Sequence, residues 1–146
     1  MARTIIELPS SFVFSTEILI RITDINYGGH VGNDSILSLL HETRMQFLIK
    51  AGLDEMGTAG PGLIMRDVII EFRKELFYGD HLVASVAALN FETASFDIVY
   101  KIERIKSDKT EIAIIAKTGM VCYDYARKKI AALTSGIISS LSLVEI

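Results

Sequence analysis

Asp24, Asn26, Tyr27, His30 and Asn33 crowd polar chemistry into one short stretch, and Glu42 and Arg44 follow it. A carboxylate or an imidazole can take a proton from water, whereas an asparagine amide can only hold water in place. Gly28, Gly29 and Gly32 are interleaved with these side chains, so the backbone there can adopt conformations that other residues resist. If a helix begins just after the glycines, its first N–H groups are unpaired and its positive dipole end faces the loop. That arrangement suits an oxygen that gains negative charge when a carbonyl is attacked. The chemistry such residues support is acid–base work. Each also has a quieter use. His30 can tie the glycine loop down, Asp24 can cap a loop amide, and Glu42 can pair with Arg44 to anchor the helix.

The elements that position this stretch follow from periodicity. Phe12, Phe14, Ile18, Ile20 and Ile22 share one parity while Glu17, Arg21 and Thr23 take the other, which predicts a half-buried strand over 12–24. Continued, that parity turns Asp24 and Asn26 inward, where polar groups need a partner. Asn33, Asp34 or Ser35 is expected to cap a long helix running from about Ser35 to Ala51, with Gly52 as its stop. Ile36, Leu40 and Phe47 with their neighbours make it apolar on most sides, so it is expected to be covered. Strand-like runs then follow over 63–76, 81–90, 95–105 and 110–123, joined by short links that imply antiparallel neighbours. The run from Leu82 to Leu89 is apolar or small on both faces and calls for cover on its outer side, for which another subunit is a candidate. Residues 131–143 can form a short helix. The order strand, long helix, four strands gives an α+β arrangement over residues 1–146, one buried helix against one curved antiparallel sheet.

The chain has 146 residues, half of them hydrophobic and 23% charged, which excludes a disordered or low-complexity protein. A net charge of -3 with no basic block argues against nucleic acid as the main partner. No apolar run approaches the roughly 20 residues that span a bilayer. Cys122 is alone, and His41 and His81 have no acids at ligand spacing, so neither a disulfide nor a metal is expected. A cytoplasmic protein is expected.

The stretch Asp24-Ile25-Asn26-Tyr27-Gly28-Gly29-His30-Val31-Gly32-Asn33, followed by Glu42-Thr43-Arg44 and by Phe72–Asp80 ending in Tyr78-Gly79-Asp80, resembles the hotdog-fold acyl-CoA thioesterases of the 4-hydroxybenzoyl-CoA thioesterase type. The family's pattern reads Asp-Thr-Asp-x-x-Gly-His-Val-Asn-Asn, then Glu-x-Arg. The resemblance covers roughly residues 12–125. It implies a hotdog fold, with one long central helix wrapped by a curved five-stranded antiparallel sheet. It also implies hydrolysis of an acyl-CoA or acyl-carrier thioester, with coenzyme A as part of the substrate and no separate cofactor. A homodimer or homotetramer with sites shared across the interface is implied as well.

By the same resemblance the oxyanion donor falls at Gly32 and Asn33, Gly29 lies against substrate, and Tyr27 walls the acyl pocket. One position departs from the pattern: Asn26 stands where many members place a catalytic aspartate. The base must then come from His30, Glu42 or Asp24, with Asn26 holding water. Arg73, Lys74, Arg127, Lys128 and Lys129 are either phosphate contacts or solvated turn charges. Two alternatives remain. A hotdog dehydratase or hydratase would need His30 and Glu42 to converge on one acyl group, and a non-catalytic acyl-thioester binding module would follow from the lost carboxylate at Asn26.

Overall fold

The protein, described here by a computed structural model for residues 5–58 and 60–142, is organised around α1 (Asn33–Lys50). The rest of the order is β1 (Phe14–Ile18), a 3-10 turn (Ile22–Asp24), β2 (Gly62–Phe72), β3 (His81–Leu89), β4 (Ser95–Lys106), β5 (Lys109–Asp124), β6 (Lys129–Ile130) and α2 (Ser135–Ser142). Ile36, Leu39, Leu40, Phe47 and Leu48 of α1 are buried against the sheet's inner face, where Ile98, Ile102, Ile114 and Met120 meet them. Full burial of side chains of this size contributes about 1.5–3 kcal/mol each. The helix ends as expected at Gly52 (φ +77°). The Gly52 N–H reaches Ile49 O and the Leu53 N–H reaches Leu48 O, a paired closure that a left-handed glycine permits.

Its start differs from expectation. The helix begins at Asn33 rather than Ser35, Gly32 is the N-cap, and no side chain caps it. Glycine is tolerated there and leaves the first amides open.

The sheet order is β1-β3-β4-β5-β2 with β6 beside β5, and every pairing is antiparallel. This is the expected α+β layer, with a two-residue sixth strand and a second, short helix added. The expected helix over 131–143 is confined to Ser135–Ser142, and Leu143 lies outside the described residues. One inference from link length fails: β2 and β3 are not neighbours. The connection after Phe72 instead crosses the ends of β5 and β4. The Arg73 and Lys74 N–H groups donate to Ala113 O, the Arg104 guanidinium to Glu75 O, and the Val31 N–H to Leu76 O. That crossing brings residues 73–76 to the start of α1.

The strand expected over 12–24 stops at Ile18, which pairs with Leu82 near the beginning of β3, so the chain beyond has almost no partner backbone. It folds instead into the 3-10 turn. The outer sheet face is covered by the chain's own N-terminal segment. Ile6 is buried with Val99 and Ile115, and Leu8, Ile69, Leu89 and Ile112 pack around them.

One polar cluster lies inside the core. Arg44 is buried (4% exposed), and its guanidinium donates to the Tyr100 hydroxyl at 3.2 Å and to Glu55 Oε1 at 3.4 Å. The Tyr100 hydroxyl is also hydrogen-bonded to Thr118 Oγ1 at 2.8 Å, and His41 Nε2 lies 3.1 Å from the same Glu55 oxygen. Burial pushes the Tyr100 phenol above its ordinary range, against the opposing pull of Arg44 and the hydrogen bond to Thr118. The cluster ties helix, sheet and the loop after α1 together. Glu42 is not part of it: exposed on the other side of the helix, it accepts from Gln46 Nε2 at 2.9 Å. Removing one member of a buried charge pair costs a few kcal/mol, because the other is left desolvated. Arg44→Ala is therefore expected to lose about 2–3 kcal/mol in urea unfolding, the low end because Glu55 is partly exposed. Glu42→Gln should stay within about 0.5 kcal/mol.

Candidate active site

Asp24 is the buried carboxylate of the 3-10 turn. Its Oδ2 accepts the Arg21 N–H at 2.8 Å, and its Oδ1 lies 3.2 Å from the Arg21 guanidinium. With those bonds it holds the turn closed and is no free base. Its backbone O accepts the Gly32 N–H at 3.0 Å. The expected oxyanion donor at Gly32 is therefore already spent, and the first open amide is one residue on, at Asn33. A Gly32 Cβ would stand 2.6 Å from Asp34 Oδ1 and 3.6 Å from Asn26 Cβ, which places the Asn26 side chain against the helix start.

Asn26 and His30 come together over Gly28. Asn26 Oδ1 accepts the Gly28 N–H at 2.9 Å, and the Asn26 N–H donates to His30 O at 2.9 Å. A Cβ on Gly28 would lie 3.2 Å from Asn26 Oδ1 and 3.5 Å from His30 Nε2. Gly29 turns the loop at φ +86°, with its N–H on Asn26 O. His30 Nδ1 is 3.2 Å from Val31 O. A carbonyl can only accept, so Nδ1 carries the proton in the neutral ring and Nε2 is left as an acceptor. The loop thus holds the Asn26 amide oxygen, the His30 Nε2 acceptor and the start of α1 together.

His30 and Asn33 line a cleft of about 250 Å3 with Val31, Ile36, Leu76 and Ile114, closed on one side by Phe72–Glu75. The segment 73–76 enters only because the connection after β2 crosses the sheet, which spacing in the sequence does not reveal. Glu75 is the sole carboxylate among the cleft's lining residues, and although it lies in the matched stretch Phe72–Asp80 no role was expected for it. Arg73 and Lys74 sit at the rim, with Arg73 paired to Glu71 at 2.8 Å. Arg127, Lys128 and Lys129 belong to the exposed β5–β6 turn, away from it.

Glu42 is not in this cleft. It lines a separate one of about 500 Å3 with Glu17, Arg21, His41 and Gln46. From Asn33 to Glu42 the helix rises roughly 13 Å, beyond the reach of one side chain. Within one chain His30 and Glu42 therefore do not converge, so a dehydratase site could not be built from both residues of the same chain. Nor is Glu42 paired with Arg44. Tyr27 projects fully into solvent and walls no pocket of a single chain. Among the described residues no group of histidine, cysteine or carboxylate side chains is arranged to hold a metal, and no helix is long and apolar enough to cross a membrane.

Residues 20–141 match the thioesterase-like superfamily, and the chain belongs to it. Thioester hydrolysis is its class of reaction. The chain is 24% identical over 129 residues to the 1,4-dihydroxy-2-naphthoyl-CoA hydrolase of Rippkaea orientalis, covering 86% of this chain and 93% of that protein. Among solved structures it is similar to a thioesterase superfamily protein from Jannaschia, with a TM-score of 0.81 at 20% identity over 91% of this chain and 83% of that one. It is also similar to 4-hydroxybenzoyl-CoA thioesterase from Pseudomonas, with a TM-score of 0.76 at 17% identity over 89% and 99%. The fold is the hotdog fold.

Asp24 holds the turn that brings Asn26 to the helix start. Asp24→Ala should therefore cost about 1–2 kcal/mol in urea unfolding and lower thiol release from acyl-CoA in parallel. Unchanged stability together with unchanged turnover would contradict that role.

Proposed function

We propose that the protein hydrolyses acyl-CoA thioesters as a homodimer, with the thioester carbonyl at the start of α1 and water held between Asn26 and His30. The observation that carries this reading is that His30 and Asn33, the first residue of α1, line one cleft, with the Asn26 side chain against the same helix start. The Asn33 N–H donates to the carbonyl oxygen as negative charge develops there, and the helix dipole adds to it. Asn26 places water and His30 Nε2 takes its proton. The tetrahedral intermediate collapses with loss of the coenzyme A thiolate, which is protonated as it leaves. Arg73 and Lys74 at the rim face the substrate's phosphates as point charges.

A dimer is supported by β2. It lies at the end of the sheet order, and its outer edge has no partner strand among the described residues. Ile64 and Phe72 are exposed along it. An uncovered edge strand of this length is a ready site for pairing with a second copy. Phe72 also lines the 250 Å3 cleft, so pairing along β2 would close that cleft and shield the reacting groups from water. The second reading, an acyl-thioester binding protein without turnover, is supported by Asn26 itself, whose amide carries no charge to accept a proton.

Asn33 is the first residue of α1, where proline keeps a helix intact while deleting the N–H, and Gly32 before it is already extended (φ -70°, ψ 150°). Asn33→Pro should fold normally and lose roughly 10²–10³-fold in kcat, as expected for one oxyanion donor. His30→Ala should lose about 10²-fold or more. Hydrolysis by Asn33→Pro at the native rate would overturn the assignment. Thiol release that appears only in Asn26→Asp would instead select the binding-protein reading.

A further inference from the structure

Resting on the placement of the thioester carbonyl at Asn33, the walls of the 250 Å3 cleft say which half of the substrate enters it. Much of the backbone of the inner walls is already used, apart from the Asn33 amide. The Val31 N–H is bonded to Leu76 O, the Arg73 and Lys74 N–H groups to Ala113 O, and Glu75 O to Arg104. A pantetheine arm, with its two amides, would find few free partners against these walls and would lose hydrogen bonds to water on entering. A hydrocarbon group loses none. The deepest part of the lining is apolar, made by the buried Val31, Ile36, Leu76 and Ile114, with His30, Asn33, Arg73, Lys74 and Glu75 toward the mouth.

That surface is also closed. Ile36 and Leu76 are each 2% exposed and Ile114 is 1% exposed, because all three belong to the core between α1 and the sheet. Behind them Leu40, Ile102 and Ala113 are fully buried, so the cleft is backed by close-packed side chains. Its volume, about 250 Å3, falls just under the roughly 300–1,000 Å3 of pockets that accept drug-sized ligands. We infer that this cleft is the acyl pocket and that Ile36, Leu76 and Ile114 form its floor, so that the protein accepts short or single-ring acyl groups and excludes long unbranched chains. Ile36 is the determining position. It stands one helical turn from Asn33, directly behind the carbonyl carbon as the acyl group points inward.

The test is binding of non-hydrolysable S-alkyl thioethers of coenzyme A, with ethyl, butyl, hexyl, benzyl and dodecyl groups, measured by calorimetry on the purified full chain. Thiol release from the matching acyl-CoAs is measured alongside. Affinity is expected to rise from ethyl to hexyl or benzyl and then to fall by about tenfold or more at dodecyl, the scale on which an apolar pocket discriminates by methylenes. Ile36→Ala should shift the best length upward and narrow the gap to dodecyl. Ile36→Val, which removes a single methylene and keeps the core, should shift it the same way by less. Dodecyl binding as tight as hexyl in the native protein, or a length profile that neither variant moves, overturns the inference. A preserved short-chain preference in binding with no thiol release from any acyl-CoA upholds the floor while removing the hydrolytic reading.

Discussion

The buried guanidinium of Arg44 is the constraint on which the geometry of this protein turns. A helix packed on a sheet by leucine and isoleucine alone could slide or rotate at little cost, because apolar contact is not directional. Arg44 removes that freedom. Its donors must meet both the Tyr100 hydroxyl on β4 and Glu55 in the loop after α1, and an unmet donor in the core costs more than the contact gains. Tyr100 is tied in turn to Thr118 on β5. One side chain thereby sets the rotation of α1 over two central strands and draws the loop after α1 against the helix. With α1 so placed, its first turn opens beside the Asn26–His30 loop.

The same end of the helix shows a division between groups that hold and groups that are free to act. Asp24 is spent on Arg21, and the Gly32 amide is spent on Asp24 O. Those bonds fix the loop so that His30 and Asn33 line one small cleft, with the Asn26 side chain against the same helix start. Asn26 offers no carboxylate to take a proton, and in the proposed mechanism it holds the water while the neutral His30 Nε2 takes the proton. Preorganised donors of this kind contribute most when the site is dry, so in the proposed dimer pairing along β2 would serve the chemistry as well as assembly.

Much of this was legible in the sequence. The positions of β3, β4 and β5 followed from strand-like runs separated by short links, and Gly52 marked the end of α1 because a left-handed closure needs glycine. The association of Asn26 and His30 with a helix start also followed, since all three lie in one continuous loop. What was not legible depends on distant partners. Alternation alone carried the first strand to Asp24, yet β1 ends where β3 runs out of backbone to pair with. The run 63–76 looked like one strand leading into a hairpin link, but β2 ends at Phe72 and residues 73–76 cross the sheet, and only that crossing brings Glu75 and Leu76 to His30. Glu42 and Arg44 are two residues apart and so face different sides of the helix, which is why one enters the core and the other a separate cleft. The resemblance supplied the fold, whereas the identity of the spent and the open amide needed the hydrogen bonds.

The central claim, that the Asn33 amide receives the thioester oxygen, is tested most directly by a crystal structure with a ketone analogue of an acyl-CoA, in which a methylene replaces the sulfur. The account predicts the ketone oxygen about 2.7–3.1 Å from Asn33 N, with a water or the hydrated carbonyl's hydroxyl near Asn26 Oδ1 and His30 Nε2. A ketone oxygen bound away from the α1 start, with Glu42 as the nearest polar group, would contradict it and move the chemistry to the other cleft.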